Sequence, residues 1–185
     1  MRLHWYIISA LLATVLITPH VTASAMTVEE AYMTLSHQRP IFNPSIAKMA
    51  DDESLYLRQL FQIIDQAVRE RVQTMAWLQS ATANTEPPDQ YNDLLSHLSA
   101  LRPPHRLNAV HQLLREAIEE QRDVLREWRP LHGIAPHAMS MQHPLVQDSS
   151  RKLYQVYDEV LRLFPGEDQR NRQAFHDYFC CLDLL

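Results

Sequence analysis

The sequence predicts an all-α protein, a single-domain bundle of about four main amphipathic helices preceded by a short N-terminal helix. Two observations favour this fold class. The chain has 185 residues but only 2 glycines, whereas tight β-hairpins and phosphate-binding loops need glycine at particular positions. Four stretches carry apolar residues at spacings of three and four, the period of a helix with one buried face. We therefore expect one helical domain over residues 26–185.

The first 25 residues have the pattern of a secretory signal peptide. Arg2 supplies a positive charge, an apolar run extends from Trp5 to Ile17, and Ala23-Ser24-Ala25 provides the small residues of a cleavage site. The apolar run is shorter than the about 20 residues that span a membrane. We expect cleavage after Ala25, which would leave a periplasmic or secreted mature chain without a transmembrane segment. Retention of residues 1–25 as an uncleaved anchor is the alternative.

Two helices are predicted early in the mature chain. Thr27 and Glu30 form a capping box, in which each side chain satisfies a free backbone donor of the other residue. A short helix should therefore extend over residues 28–37. A long amphipathic helix should begin near Asp51, where three consecutive acidic residues favour the positive end of the helix dipole, and its apolar period continues to about Ala83.

A third helical region should start near Asp89 and end before Pro130. Pro103-Pro104 is expected to break or kink it, because proline lacks a backbone N–H and its ring clashes with the preceding turn. Residues 130–144 have no helical period and contain several proline, histidine and methionine residues. They predict a long crossover loop between two helices of the bundle.

The last two helices are predicted near the C-terminus. Helical spacing returns over residues 153–164, and Pro165-Gly166 is a clear stop. A final helix is expected from Glu167 to Leu182. Its adjacent cysteines, at positions 180 and 181, cannot form an ordinary internal disulfide, so the fold should depend on its apolar core.

Charge and motif content disfavour several classes of function. The net charge of −5 and the lack of a basic stripe disfavour nucleic-acid binding. The sequence contains no His-Glu-x-x-His, Gly-x-Ser-x-Gly or Cys-x-x-Cys-His motif, and no Glu-x-x-His of the di-iron bundles. Asp93 with His97, and Asp65 with Arg69, have helical spacing and are interpreted as surface partners. We expect no enzymatic activity.

One segment is enriched in soft metal ligands. From His137 the residues alternate as His-x-Met-x-Met-x-His, so His137, Met139, Met141 and His143 would share one face of an extended backbone. Thioether and imidazole groups suit copper, especially Cu(I). The alternative interpretation is that these methionines fill gaps on the bundle surface, as flexible side chains often do.

Two further cofactor hypotheses use residues on helices. His176 and Cys180 are four residues apart and could together donate to zinc or copper. Alternatively, His176 could lower the pKa of the Cys180 thiol, or both residues could simply pack against the core. A non-covalent b-type haem would need an axial pair such as Met33 or His37 with His176. His111 is another candidate, although a histidine on an apolar face is usually a hydrogen-bonded core residue.

The sequence therefore favours an exported, non-enzymatic helical bundle that binds another envelope protein, or a second copy of itself, in an accessory role. No cofactor is firmly expected. The alternative function is a periplasmic copper-binding protein that uses the His137–His143 segment.

Overall fold

The structure, a computed structural model, describes Thr27, Glu30 and residues 32–33, 40–79, 90–127 and 143–183. Within these ranges there is no strand, which confirms the predicted all-α bundle. The α-helices with described bounds are α1 (Asp51–Gln79), α2 (Gln90–Ala100), α3 (Asn108–Glu127), α4 (Pro144–Leu163) and α5 (Gln169–Cys180). The predicted signal peptide, residues 1–25, lies outside the described residues.

The helices form a ring around one apolar core. Each helix packs against the next along the chain, α5 closes the ring against α1, and the most extensive pairing is between α3 and α4. None of the described helices is long and apolar enough to span a membrane. The largest fully buried apolar side chains come from every helix and from the segments beside them: Leu57, Leu60, Ile64, Leu94, Leu98, Leu107, Leu114, Ile118, Leu153, Phe175, Phe179 and Leu182.

The predicted third helical region is two separate helices, so the described bundle has five main helices rather than four. The chain leaves α2 after Ala100, and Pro104 has an extended backbone with ψ of 149°. A short 3-10 helix, His105–Leu107, then leads into α3. Pro103-Pro104 therefore breaks the helix rather than kinking it, because two consecutive residues lack the N–H that continues the hydrogen-bond ladder.

Side-chain caps set the helix boundaries. The Thr27 hydroxyl accepts from the Glu30 N–H at 3.2 Å, and the Glu30 carboxylate accepts from the Thr27 N–H at 2.8 Å, which confirms the capping box. Helix α4 starts at Pro144, nine residues before the helical spacing predicted over 153–164, because Pro144 follows the N-cap His143 and begins the first turn. Residues 130–142 of the predicted loop lie outside the described residues. Helix α5 is shorter than the predicted Glu167–Leu182 helix, because the Asp168 side chain caps it by accepting from the Arg170 N–H.

Buried polar groups fasten the segment 40–50 to the start of α5. Asn171 is fully buried, and its side chain accepts from the Asn43 N–H at 2.9 Å and donates to the Asn43 carbonyl at 3.1 Å. It also donates to the buried Glu167 carboxylate at 3.0 Å, which accepts in turn from the Lys48 N–H. Phe42 is held against Phe175 by the same arrangement, with ring centres 5.6 Å apart.

A second set of hydrogen bonds fastens the chain after α5. The buried Gln121 side chain donates to the Leu182 carbonyl at 2.6 Å. Arg71 donates to the Asp183 carbonyl, and the Ser150 hydroxyl donates to the Asp183 carboxylate. Residues 182 and 183 are therefore tied to α1, α3 and α4 together.

Candidate functional site

The predicted copper ligands are only partly described. His137, Met139 and Met141 lie outside the described residues. His143 is the N-cap residue of α4, and its Nδ1 accepts from the Leu145 N–H at 3.3 Å. Copper binding by these four residues stays a prediction.

The His176 and Cys180 pair occupies the second half of α5. His176 Nδ1 lies 2.9 Å from Asp177 Oδ1, and its ring contacts the Tyr157 ring edge to face at 5.3 Å between centres. Burial, and then the nearby Asp183 carboxylate, raise the pKa of Cys180 to about 11. Because a thiol must lose its proton to bind a metal or attack an electrophile, Cys180 is poorly reactive at neutral pH.

No cluster of three or more histidine, cysteine, aspartate or glutamate side chains within the described residues has the arrangement of a metal site. The His137–Met141 segment lies outside these residues. Metal binding by His176 with Cys180 stays a prediction.

The haem candidates do not share one environment. His37 lies outside the described residues, and Met33 is 40% exposed. His111 Nδ1 and the Tyr56 hydroxyl share a hydrogen bond at 2.9 Å, so His111 is the hydrogen-bonded histidine that the alternative interpretation expected. Burial, assisted by the Arg115 charge, lowers the pKa of His111 and keeps its ring neutral. Haem ligation itself stays a prediction.

The two acid–base pairs singled out from the sequence lie toward the surface. Asp93 and His97 are both exposed on α2. Arg69 is exposed on α1, where its guanidinium carbon lies 4.4 Å from the centre of the Tyr32 ring. This contact holds the described part of the N-terminal helix against α1.

An ion pair between Glu53 and Arg106 stabilises the fold. The buried Glu53 carboxylate accepts from the Ala50 N–H at 3.0 Å and from Arg106 at 3.0 Å. Arg106 also donates to the Leu163 carbonyl at 2.9 Å. The connection between α2 and α3 is thereby joined to the start of α1 and the end of α4.

The outer surface between α3 and α4 contains a groove of about 380 Å³, which we call the α3–α4 groove. The two helices run antiparallel, with Lys152 of α4 paired to Glu120 of α3 and 3.7 Å from Glu116. The groove extends from that ion cluster toward the end of α4. It is lined by Ala109, Leu113, Gln155, Asp158, Glu159 and Arg162.

The α3–α4 groove combines an apolar floor with one unmatched carboxylate. Arg162 makes two hydrogen bonds to Glu159, at 2.8 and 2.5 Å, which lower the pKa of Glu159. Asp158 is exposed and has no hydrogen bond or ion pair to any described residue. This arrangement suits a cation attached to an apolar side chain.

Sequence reasoning missed the α3–α4 groove. One signal was present, since the half-buried Leu113 widens the apolar stripe of α3 beyond the buried Leu114. The contribution of α4 depends on how the two helices are aligned, which the sequence does not reveal. No protein-family model, curated protein or solved structure matches this chain.

Proposed function

We propose that this protein is exported to the periplasm and acts as a non-enzymatic binding or accessory protein of the cell envelope. The observation that carries the proposal is the signal-peptide pattern of residues 1–25, followed at once by a helix start. The capping box of Thr27 and Glu30 begins two residues after Ala25. Cleavage after Ala25 would therefore leave the first helix of the mature chain with its cap intact.

Binding rather than catalysis is supported by how the reactive side chains are used. The Tyr56 hydroxyl occupies one nitrogen of His111, and the raised pKa of Cys180 keeps its thiol protonated. The buried Glu53 carboxylate is committed to a helix cap and an ion pair. The α3–α4 groove, by contrast, faces outward and is accessible to another protein.

Export is tested by expressing the full chain in a bacterium and sequencing the N-terminus of the protein recovered by osmotic shock. We expect a chain that starts at Met26. The matched control is Ala25→Phe, because a bulky residue at the cleavage site should leave the precursor intact. Recovery of the unaltered chain with Met1, from the cytosol or the membrane fraction, would contradict export.

Copper binding is the second candidate function, and the His-x-Met-x-Met-x-His pattern favours it. If it is correct, Cu(I) should bind more tightly than zinc, since two thioethers are poor zinc ligands. Changing Met139 and Met141 together to leucine preserves apolar bulk and removes both sulfur donors. We expect this double variant to lose Cu(I) affinity in a competition titration, with Cys180→Ser as a separate control. Unchanged affinity would refute the site.

A further inference from the structure

We propose that the α3–α4 groove binds a short segment of a partner protein that presents lysine or arginine beside an apolar side chain. The inference rests on the proposed role as a binding protein and names the chemistry of its partner.

The floor of the groove can accept apolar side chains. Leu113 is half-buried and Ala109 is exposed, and both belong to the same face of α3. A volume of about 380 Å³ lies at the small end of ligand pockets, about 300–1,000 Å³. The groove therefore accommodates a few side chains of a partner rather than a whole helix.

The charges around the groove select a cation. Lys152 at one end is matched by Glu120, and Arg162 at the other end is matched by Glu159. Asp158 lies between these pairs in the chain and has no partner among the described residues. A lysine or arginine of a partner can form an ion pair with Asp158, and its apolar stem can cover the half-buried Leu113 on the floor of the groove.

A second copy of this chain is a poor occupant of the same groove. A two-fold dimer built on this groove would bring the Asp158 carboxylates of both copies into one interface. Like charges facing each other oppose association, and the whole chain carries a net charge of −5. Charge complementarity therefore points to a different, basic partner.

The test uses two short synthetic peptides that contain leucine and differ only in having lysine or glutamate beside it. Each is titrated at low salt into the purified, ¹⁵N-labelled protein, and amide shifts are followed by NMR. The lysine peptide should shift the amides of Ala109, Leu113 and Asp158, and the glutamate peptide should not.

Substitutions then test the role of the carboxylate. Asp158→Asn should raise the Kd of the lysine peptide about 2- to 5-fold, which is the effect expected from losing an exposed ion pair. Asp158→Lys should reverse the preference between the two peptides. The control Asp93→Asn removes an exposed carboxylate on α2 and should leave binding unchanged.

Three results would overturn the proposal: no shift with the lysine peptide, equal shifts with both peptides, or shifts of the groove amides that follow protein concentration alone. The last result would identify a second copy as the occupant. If the chain is exported but does not bind the lysine peptide, only the proposed binding at the α3–α4 groove is refuted. A chain that binds this peptide but keeps Met1 refutes only export.

Discussion

Replacing Asn171 by alanine should release the segment 40–50 from α5. The Asn171 side chain makes three hydrogen bonds, two to the backbone of Asn43 and one to the buried Glu167 carboxylate. The two asparagines are 128 positions apart, so no local structure replaces these contacts. Alanine removes all three and leaves Glu167 with fewer partners in a buried position.

The magnitude follows from the three bonds. Two neutral hydrogen bonds contribute about 0.5–1.5 kcal/mol each and one to a charged group about 1.5–3 kcal/mol, or roughly 2.5–6 kcal/mol together. Water can reach part of the half-buried Asn43 backbone, and alanine recovers up to about 0.7 kcal/mol of helix propensity. We therefore expect Asn171→Ala to lower the free energy of unfolding by about 2–4 kcal/mol.

Urea unfolding followed by circular dichroism measures this loss, and hydrogen exchange at the Asn43 amide reports the local release. The matched control is Gln173→Ala, an exposed change in the same helix, which should stay within about 0.5 kcal/mol of the unaltered chain. Asn171→Asp should lower the free energy of unfolding more at pH 7 than at pH 4, because it places a second carboxylate beside Glu167 and both are ionised at pH 7. Equal unfolding free energies for Asn171→Ala and Gln173→Ala would refute the reasoning.

Three other outcomes are expected. The pKa of His111 is lowered in the folded chain, so the unfolded chain binds more protons near pH 6 and stability falls as the pH drops below about 6.5. His111→Gln should reduce this fall when urea midpoints are compared from about pH 7.5 to about pH 5.5, and an identical profile would contradict it. In Cys181→Ser, the remaining Cys180 thiol should react with a disulfide probe at pH 8 roughly 10-fold more slowly when folded than in urea, because its raised pKa lowers the thiolate fraction more than it raises the nucleophilicity of the thiolate. Equal rates would refute the protonated thiol. Leu114→Ala should cost about 2–5 kcal/mol of unfolding free energy, whereas Leu55→Ala, at a 46% exposed position, should cost far less; similar losses would place Leu114 outside the core.

The sequence predicts those structural features that depend on residues close together in the chain. Thr27 and Glu30 are three residues apart, and their reciprocal capping bonds can be anticipated from residue types alone. The same holds for the interruption at Pro103-Pro104, since a missing N–H acts on the adjacent turn. Apolar periodicity likewise identifies Leu114 and its neighbours as core residues because burial repeats with the helical period.

Contacts between distant segments could not be predicted in the same way. Asparagine is usually a loop or cap residue, and nothing near Asn171 in the sequence indicates that it meets Asn43. The α3–α4 groove has the same difficulty, because it depends on Lys152 lying opposite Glu116 and Glu120 across a long connection. Helical periodicity shows which face is buried but not how far one helix is shifted along another.

Hydrogen bonds and apolar contacts contribute differently to this fold. Apolar contacts drive burial, but they tolerate sliding of one helix along the next, whereas a buried hydrogen bond is satisfied in one alignment only. The bonds of Asn171, Gln121 and Arg106 lie where the segment 40–50, the chain after α5 and the α2–α3 connection meet the helices. Asp158, which lines the α3–α4 groove, takes part in no such bond among the described residues. Its side chain can therefore be substituted without loosening the bundle, so peptide binding at the groove and stability of the fold can be measured independently of each other.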